Sequence, residues 1–243
     1  MNKKKYMVKI CYDGSLFFGW AKQINKITVQ EEIEKTLSLI FQEKINIYGS
    51  GRTDKYVHAL DQCFHFSVIT PIPVNSIKKV FNQFINDGIY MKSIRIVSEK
   101  FHARFSIIKK VYLYKINIGK FNLFERNYVL QYCKAIDIKK IKTIFKYFLG
   151  EKDFLSFSTS IVNNTVRKIT KISIFKKNNY VHIKIEGDGF LRNMVRMIIA
   201  CFLNFNEAKI DIEEIKKLFI NPQKGKAVNK VDGCGLYLYK TFY

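Results

Sequence analysis

Apolar and polar residues alternate along residues 6–12, a period that predicts a strand. Residues 29–41 carry apolar positions at helical spacing. Thr28 stands ready to cap that helix, with Glu31 three residues on to complete a capping box. A short strand is expected over 45–48 and a longer one over 62–69. Pro71 and Pro73 then interrupt the chain. Asn75 is the expected cap of a helix to about residue 86, and 89–97 reads as a strand. The order strand, helix, strand, strand, helix, strand is that of a ferredoxin-like unit.

The second part of the chain follows the same plan. Residues 106–118 predict a strand, and Asp137 caps an expected helix to residue 149, which Gly150 ends. Residues 166–175 and 180–186 form an expected hairpin around 177–179. Residues 191–205 predict a mostly apolar helix carrying Arg192 and Arg196. Asp211 begins another helix to residue 219, and 235–239 closes the chain as a strand. The fold class is α+β, in two ferredoxin-like halves, 1–104 and 105–243, with no linker between them. Two sheets that abut in this way can join edge to edge and leave a cleft.

Composition narrows the function classes. At 243 residues, roughly 70–75% of the unfolded surface can be buried, enough for a packed globule. No apolar run approaches the roughly 20 residues that span a membrane. The basic start, MNKKKYMVKICYDG, lacks the apolar stretch of a signal peptide, so a cytoplasmic protein is expected. Five cysteines without C-x-x-C spacing fit free thiols in a reducing compartment. His58, Cys63 and His65 lie close together, but no second ligand pair accompanies them, so no metal site is expected.

The formal net charge is +22, which suits a polyanionic partner because phosphate neutralisation supplies most non-specific nucleic-acid affinity. Lys, Ile and Asn are all over-used, so coding bias contributes to this excess. The seven Arg residues are the more informative cations, since Lys cannot replace a bidentate guanidinium.

The most concentrated chemistry lies in residues 50–59, SGRTDKYVHA. A carboxylate, Asp54, sits on a tight loop just before a strand, with Arg52 two residues away. Chemistry on a nucleic-acid base needs a group that reaches a base out of its stack and a cation to receive phosphate. A carboxylate acting as a nucleophile must be ionised, which a neighbouring cation favours.

This loop resembles the G-R-T-D-x-G-V-H-A signature of the TruA-type pseudouridine synthases, which modify tRNA. It matches at Gly51, Arg52, Thr53, Asp54, Val57, His58 and Ala59. YDGSLFFGWAKQ from Tyr12 is similar to the family's Y-D-G-x-x-F-x-G-W-x-x-Q. FHARFS from Phe101 is similar to F-x-A-R. KKVYLYKI (109–116) resembles the R-x-Y-x-Y strand, and EKDFLSFS from Glu151 the D-F-x-x-F stretch. GFLRNMVRMIIACFL resembles the F-L-x-x-M-V-R-x-I helix, and GLYLYK from Gly235 the last strand. The resemblance spans nearly the whole chain in the family's order. It departs at Tyr56, where Gly is usual, at Lys110 for Arg and at Ala200 for Gly. The usual Ala-Pro before the last strand is also absent.

The resemblance implies the pseudouridine synthase fold: two halves joined into one mostly antiparallel sheet with helices on one side and a central cleft. It implies that Asp54 attacks the target nucleoside, so that uracil leaves through N1, turns and rejoins through C5. It makes Arg196 the ionic partner of Asp54 and Tyr112 the residue that packs on the base. Arg52 would hold phosphate or the flipped nucleotide. Leu236 would wall the base pocket, and Arg104 and Arg192 would meet RNA. It further implies uridines 38, 39 and 40 of the tRNA anticodon stem-loop as targets, a homodimer across which tRNA lies, and no cofactor. The alternative is a non-catalytic RNA-binding relative of the same fold, for which Tyr56 is the best support.

Overall fold

A computed structural model of the chain describes residues 2–159, 162–227 and 229–243. It divides into two compact units, Met1–Ile108 with Tyr237–Tyr243, and Lys109–Leu236. Both are mixed α+β with a mostly antiparallel sheet.

The first unit runs β1 (Lys4–Tyr12), α1 (Val29–Phe41), β2 (Tyr48–Gly49), β3 (His58–Val68), α2 (Val74–Phe84) and β4 (Ile89–Val97), the order that the polarity pattern predicts. β1 lies between β3 and β4, antiparallel to both. β2 pairs antiparallel with β3, setting Tyr48 opposite His65 and Gly49 opposite Phe64.

Three local expectations are corrected here. Thr28 is the N-cap of α1, but its side chain makes no capping bond and no capping box forms. The Gly19 and Trp20 carbonyls instead accept from the Val29 and Gln30 amides, at 3.1 and 3.0 Å. They thus satisfy donors that the helix leaves open. Asn75 lies inside α2, whose cap is Pro73; the Pro73 carbonyl accepts from Ser76 and Ile77. The strand expected over 45–48 shrinks to Tyr48–Gly49. The Ile45 and Ile47 amides donate to side chains of α1, Ser38 Oγ at 2.9 Å and Glu34 Oε1 at 3.0 Å. Those donors are satisfied without a ladder.

The second unit contains β5 (Lys109–Asn117), β6 (Leu130–Gln131), α3 (Ile138–Ile144), β7 (Gly150–Asp153), β8 (Val166–Lys177), β9 (Tyr180–Gly187), α4 (Met194–Asn206) and α5 (Ile212–Ile220). Its strands lie in the order β5-β9-β8-β7, all antiparallel, with β6 parallel to β5. Along β9, Val181, Ile183, Ile185 and Gly187 are buried and alternate with half-buried residues, the pattern of a strand with one face in the core. Phe148, Phe154, Phe157 and Phe202 are fully buried there. Asp137 caps α3 by accepting from Lys140 N, and Asp211 with Glu214 forms a complete capping box on α5. α3 stops at Ile144 and gives way to a 3₁₀ turn, short of the expected residue 149. α4 starts at Met194, not 191, because Asn193 adopts φ +64° and turns the chain into the helix.

The closing strand β10 (Leu236–Phe242) rejoins the first unit from Tyr237 onward. It runs parallel to the start of β3, pairing Tyr237 with His58 and Leu238 with Ala59. Among the described residues, no helix is long and apolar enough to cross a membrane.

Candidate active site

The 50–57 loop is held at its base by a buried amide. Gln62 Oε1 accepts from Ser50 Oγ at 2.5 Å, and Gln62 Nε2 donates to the Gly51 carbonyl at 2.9 Å. The Ser50 amide donates to Cys63 O at 2.7 Å, which ties the loop to β3. Thr53 points inward, where its hydroxyl meets that of Tyr12 at 2.7 Å, and its carbonyl accepts from Trp20 N at 3.0 Å. With Thr53 anchored, Arg52 is exposed and Asp54 half-buried.

Asp54 opens a turn. Its carbonyl accepts from Val57 N at 3.2 Å, and Tyr56 at the third position has φ +67°. A positive φ there is the mark of a type II turn, which favours Gly. Tyr56 thus takes the left-handed position at which the resembling signature carries Gly. The left-handed conformation costs a non-glycine residue about 1–2 kcal/mol. The exposed Tyr56 ring has Lys55 Nζ 4.6 Å from its centroid, and the same Nζ lies 4.3 Å from the centre of Phe18.

Two glycines of the YDGSLFFGW segment let it press against this turn. A β-carbon on Gly14 would stand 2.1 Å from Val57 O. One on Gly19, itself at φ +88°, would stand 2.8 Å from Thr53 O and 3.2 Å from the Asp54 carbonyl carbon. These glycines stand in a matched motif, but neither charge nor periodicity says what they do there; the contact does. The same holds for His58. Its ring is buried and stacks on Tyr237 at 4.6 Å. Its Nδ1 accepts from Gly14 N at 3.1 Å and lies 3.3 Å from Asp13 Oδ1. His58 thus joins the turn, β3 and β10.

Arg104 belongs to the same unit. It is exposed after the buried Ala103, with its guanidinium carbon 5.8 Å from the centre of Phe105.

The other expected site residues lie in the second unit. Arg196 sits in the first turn of α4 and is half-buried among Val195, Met197, Ile198 and Ile199, all of them buried. Its Nε donates to Val231 O at 2.8 Å and its Nη1 to Asn193 Oδ1 at 3.2 Å. Arg192 is exposed and precedes the helix rather than riding on it, which corrects its expected position.

On β5, Tyr112 and Tyr114 share a face but differ in environment. Tyr114 is fully buried and its hydroxyl donates to Asp232 O at 2.7 Å. Burial, reinforced by Cys234 and Asp232, pushes its phenol well above the ordinary value. Tyr112 is only half-buried and meets Phe190 edge-to-face at 5.0 Å. Leu236 is buried at the start of β10. Just before it, a β-carbon on Gly235 would lie 2.6 Å from Lys115 O and 2.9 Å from the Tyr114 ring. Segment 231–235 is therefore strapped to α4 through Arg196 and to β5 through Tyr114. Among the described residues, no group of three or more His, Cys, Asp or Glu side chains is arranged to hold a metal ion.

The family described as tRNA pseudouridine synthase matches residues 10–106 and 144–243, which include the turn and the Arg196 helix but not β5. The chain belongs to this family. The synthase from Malacoplasma penetrans named tRNA pseudouridine synthase A is 54% identical, over 98% of this chain and 99% of its own length. Its namesakes from Mycoplasma genitalium and Ureaplasma urealyticum are 45% and 42% identical, each over 98% of this chain. Membership of the pseudouridine synthase family makes the chain an isomerase that acts on tRNA.

Proposed function

We propose that this chain converts uridine to pseudouridine at positions 38, 39 and 40 of the tRNA anticodon stem-loop, with Asp54 as nucleophile. The observation that carries the reading is the Asp54 turn. A carboxylate is fixed at the tip of a loop whose backbone is held from below by Gln62, from inside by Thr53 and from the side by Gly14 and Gly19. Such rigidity suits a nucleophile, because a misplacement of about 1 Å can cost about a hundredfold in rate.

Attack by Asp54 forms a covalent adduct and lets the C1′–N1 bond break. The freed uracil turns, C5 bonds to C1′, the bond to Asp54 breaks, the C5 proton leaves to solvent and N1 takes one up. The overall change is an isomerisation, with no net oxidation and no group donor required, so no cofactor enters the scheme. Arg196 balances the Asp54 charge. Tyr112 packs on the uracil, where base–aromatic stacking worth about 1–3 kcal/mol offsets part of the cost of extruding the nucleotide. Leu236 walls the pocket, Arg52 takes phosphate or the flipped nucleotide, and Arg104 and Arg192 meet the RNA backbone. The halves 1–104 and 105–243 act together in a homodimer on which tRNA lies, and the enzyme works in the cytoplasm.

The test is tritium release from tRNA transcripts labelled at uridine C5. Release by the native chain and none by Asp54→Ala is the expected result. No release from any anticodon-arm uridine by a folded native chain that binds tRNA would overturn the reading in favour of a non-catalytic RNA-binding relative.

A further inference from the structure

On the first unit, away from the Asp54 turn in sequence, four rings form a continuous stack that ends in solvent. Tyr48 on β2 stacks on His65 of β3 at 5.1 Å and 19°, the two being cross-strand neighbours. His65 meets His102 edge-on at 4.6 Å, and His102 stacks on Phe105 at 4.4 Å and 30°. The inner member is fixed: His65 is buried, and its Nδ1 accepts from Ala103 N at 3.1 Å. The outer members are open, with Tyr48 56% and Phe105 76% exposed. Phe105, backed by the His102 ring, thus presents most of its apolar surface to water.

The rim of this stack is cationic. Arg104 lies over Phe105, and His102 Nδ1 accepts from Arg104 N at 3.2 Å, so Arg104 and the stack share one short loop. Lys5 Nζ donates to Phe101 O at 3.0 Å on the same loop, and Lys100 is exposed beside it. A π-face bordered by Arg and Lys matches an unpaired nucleotide, which offers a base to stack and a phosphate to neutralise. A second copy of this chain fits less well, because the rim would meet its own charge on a chain of net charge +22.

We infer that the Tyr48–His65–His102–Phe105 stack is an accessory platform on which an unpaired base of the tRNA substrate docks against Phe105, with Arg104 on its phosphate. This rests on the reading that the chain acts on tRNA, but not on Asp54 being the nucleophile.

The experiment measures binding of an unmodified tRNA transcript by fluorescence anisotropy, in the full chain and in Phe105→Leu, Phe105→Trp and Arg104→Ala. Removing a stacking face weakens binding by about 5- to 150-fold, so Phe105→Leu is expected to fall in that range while Phe105→Trp binds like the native chain. The slope of affinity against salt is expected to stay the same in Phe105→Leu and to fall by about one in Arg104→Ala. Leu and Trp variants with the same affinity would overturn the platform, as would a loss of binding that tracks a change in mass by sedimentation, which would assign the surface to a second copy. Intact binding without tritium release would sink the catalytic reading and leave the platform standing.

Discussion

Gly19 packs directly on the backbone of the residue pair Thr53–Asp54. A β-carbon there would come within 2.8 Å of one carbonyl oxygen and 3.2 Å of the next carbonyl carbon, in a conformation at φ +88° that L side chains rarely adopt. Gly19→Ala therefore has two faults, a clash with backbone that cannot swing aside and a strained φ. The expected outcome is a loss of about 1–3 kcal/mol in stability. Because the displaced element carries Asp54, kcat is expected to fall by about a hundredfold or more. Tritium release and urea denaturation on the same preparation check this; a variant that loses stability with unchanged kcat would separate Gly19 from the positioning of Asp54.

Tyr56 runs the opposite way. At φ +67° it bears a strain that glycine would not. Tyr56→Gly is expected to match or exceed native stability, by up to about 1 kcal/mol, since the relief is partly offset by the greater freedom of glycine in the unfolded chain. Tyr56→Val, β-branched in a left-handed conformation, is expected to be the least stable of the three. Denaturant midpoints in that order, Gly above or equal to Tyr and Tyr above Val, support the account; Val equal to Tyr would show that the strain is absent.

Much of this was open to reading from the chain. The alternation in 89–97 is the observed β4 without change, and Asp211 with Glu214 forms its cap by local bonding alone. Where the polarity pattern misled, a partner distant in sequence had taken over a backbone group. Thr28 lost its capping role to the carbonyls of Gly19 and Trp20, and residues 45–47 lost their ladder to Glu34 and Ser38. The loop carrying Asp54 was legible because its residues are contiguous. Gly14, Gly19 and His58 stood in matched motifs, but their role in holding it was not legible, because a close approach depends on what lies opposite. The return of β10 to the first unit beside β3 was equally hidden, since linear order does not say which strand edge is open.

Tyr114 and Tyr112 separate structure from contact on one strand face. Tyr114→Phe removes the hydrogen bond to Asp232 O and leaves the ring under Gly235 in place. A loss of about 1 kcal/mol is expected. Loosening of the 231–235 strap is expected to reach Arg196, whose Nε holds Val231 O, and so to lower kcat more than it raises KM. Tyr112→Ala removes a half-buried ring and is expected to lose the activity with little loss of fold. Steady-state kinetics with thermal melts on the two variants tests the contrast. A melting temperature that falls as far in Tyr112→Ala as in a Tyr114→Ala control would break it.

His65 sets a pH dependence. Burial, then the neighbouring His102 and the Lys5 ammonium, lowers its imidazole to about 4. In the unfolded chain it titrates near the ordinary value of about 6.5. A depressed histidine means that the unfolded state takes up the proton first as pH falls. Its contribution to stability is therefore flat above about 6.5, declines as pH drops from there toward 4, and levels off below, once the folded state also binds the proton. His65→Gln removes this titration and keeps an acceptor for Ala103 N. The expected result is a smaller drop in the urea midpoint between pH 6.5 and 4 for the variant than for the native chain, even though the variant starts lower at pH 7 through loss of the Tyr48 and His102 ring contacts. Parallel native and variant curves through that window would place the acid sensitivity elsewhere. The Asp61 carboxylate acts at lower pH. Burial alone would raise it, but the Lys9 ammonium and the Thr241 amide outweigh that and hold it below its ordinary value, so its contribution disappears only at still lower pH.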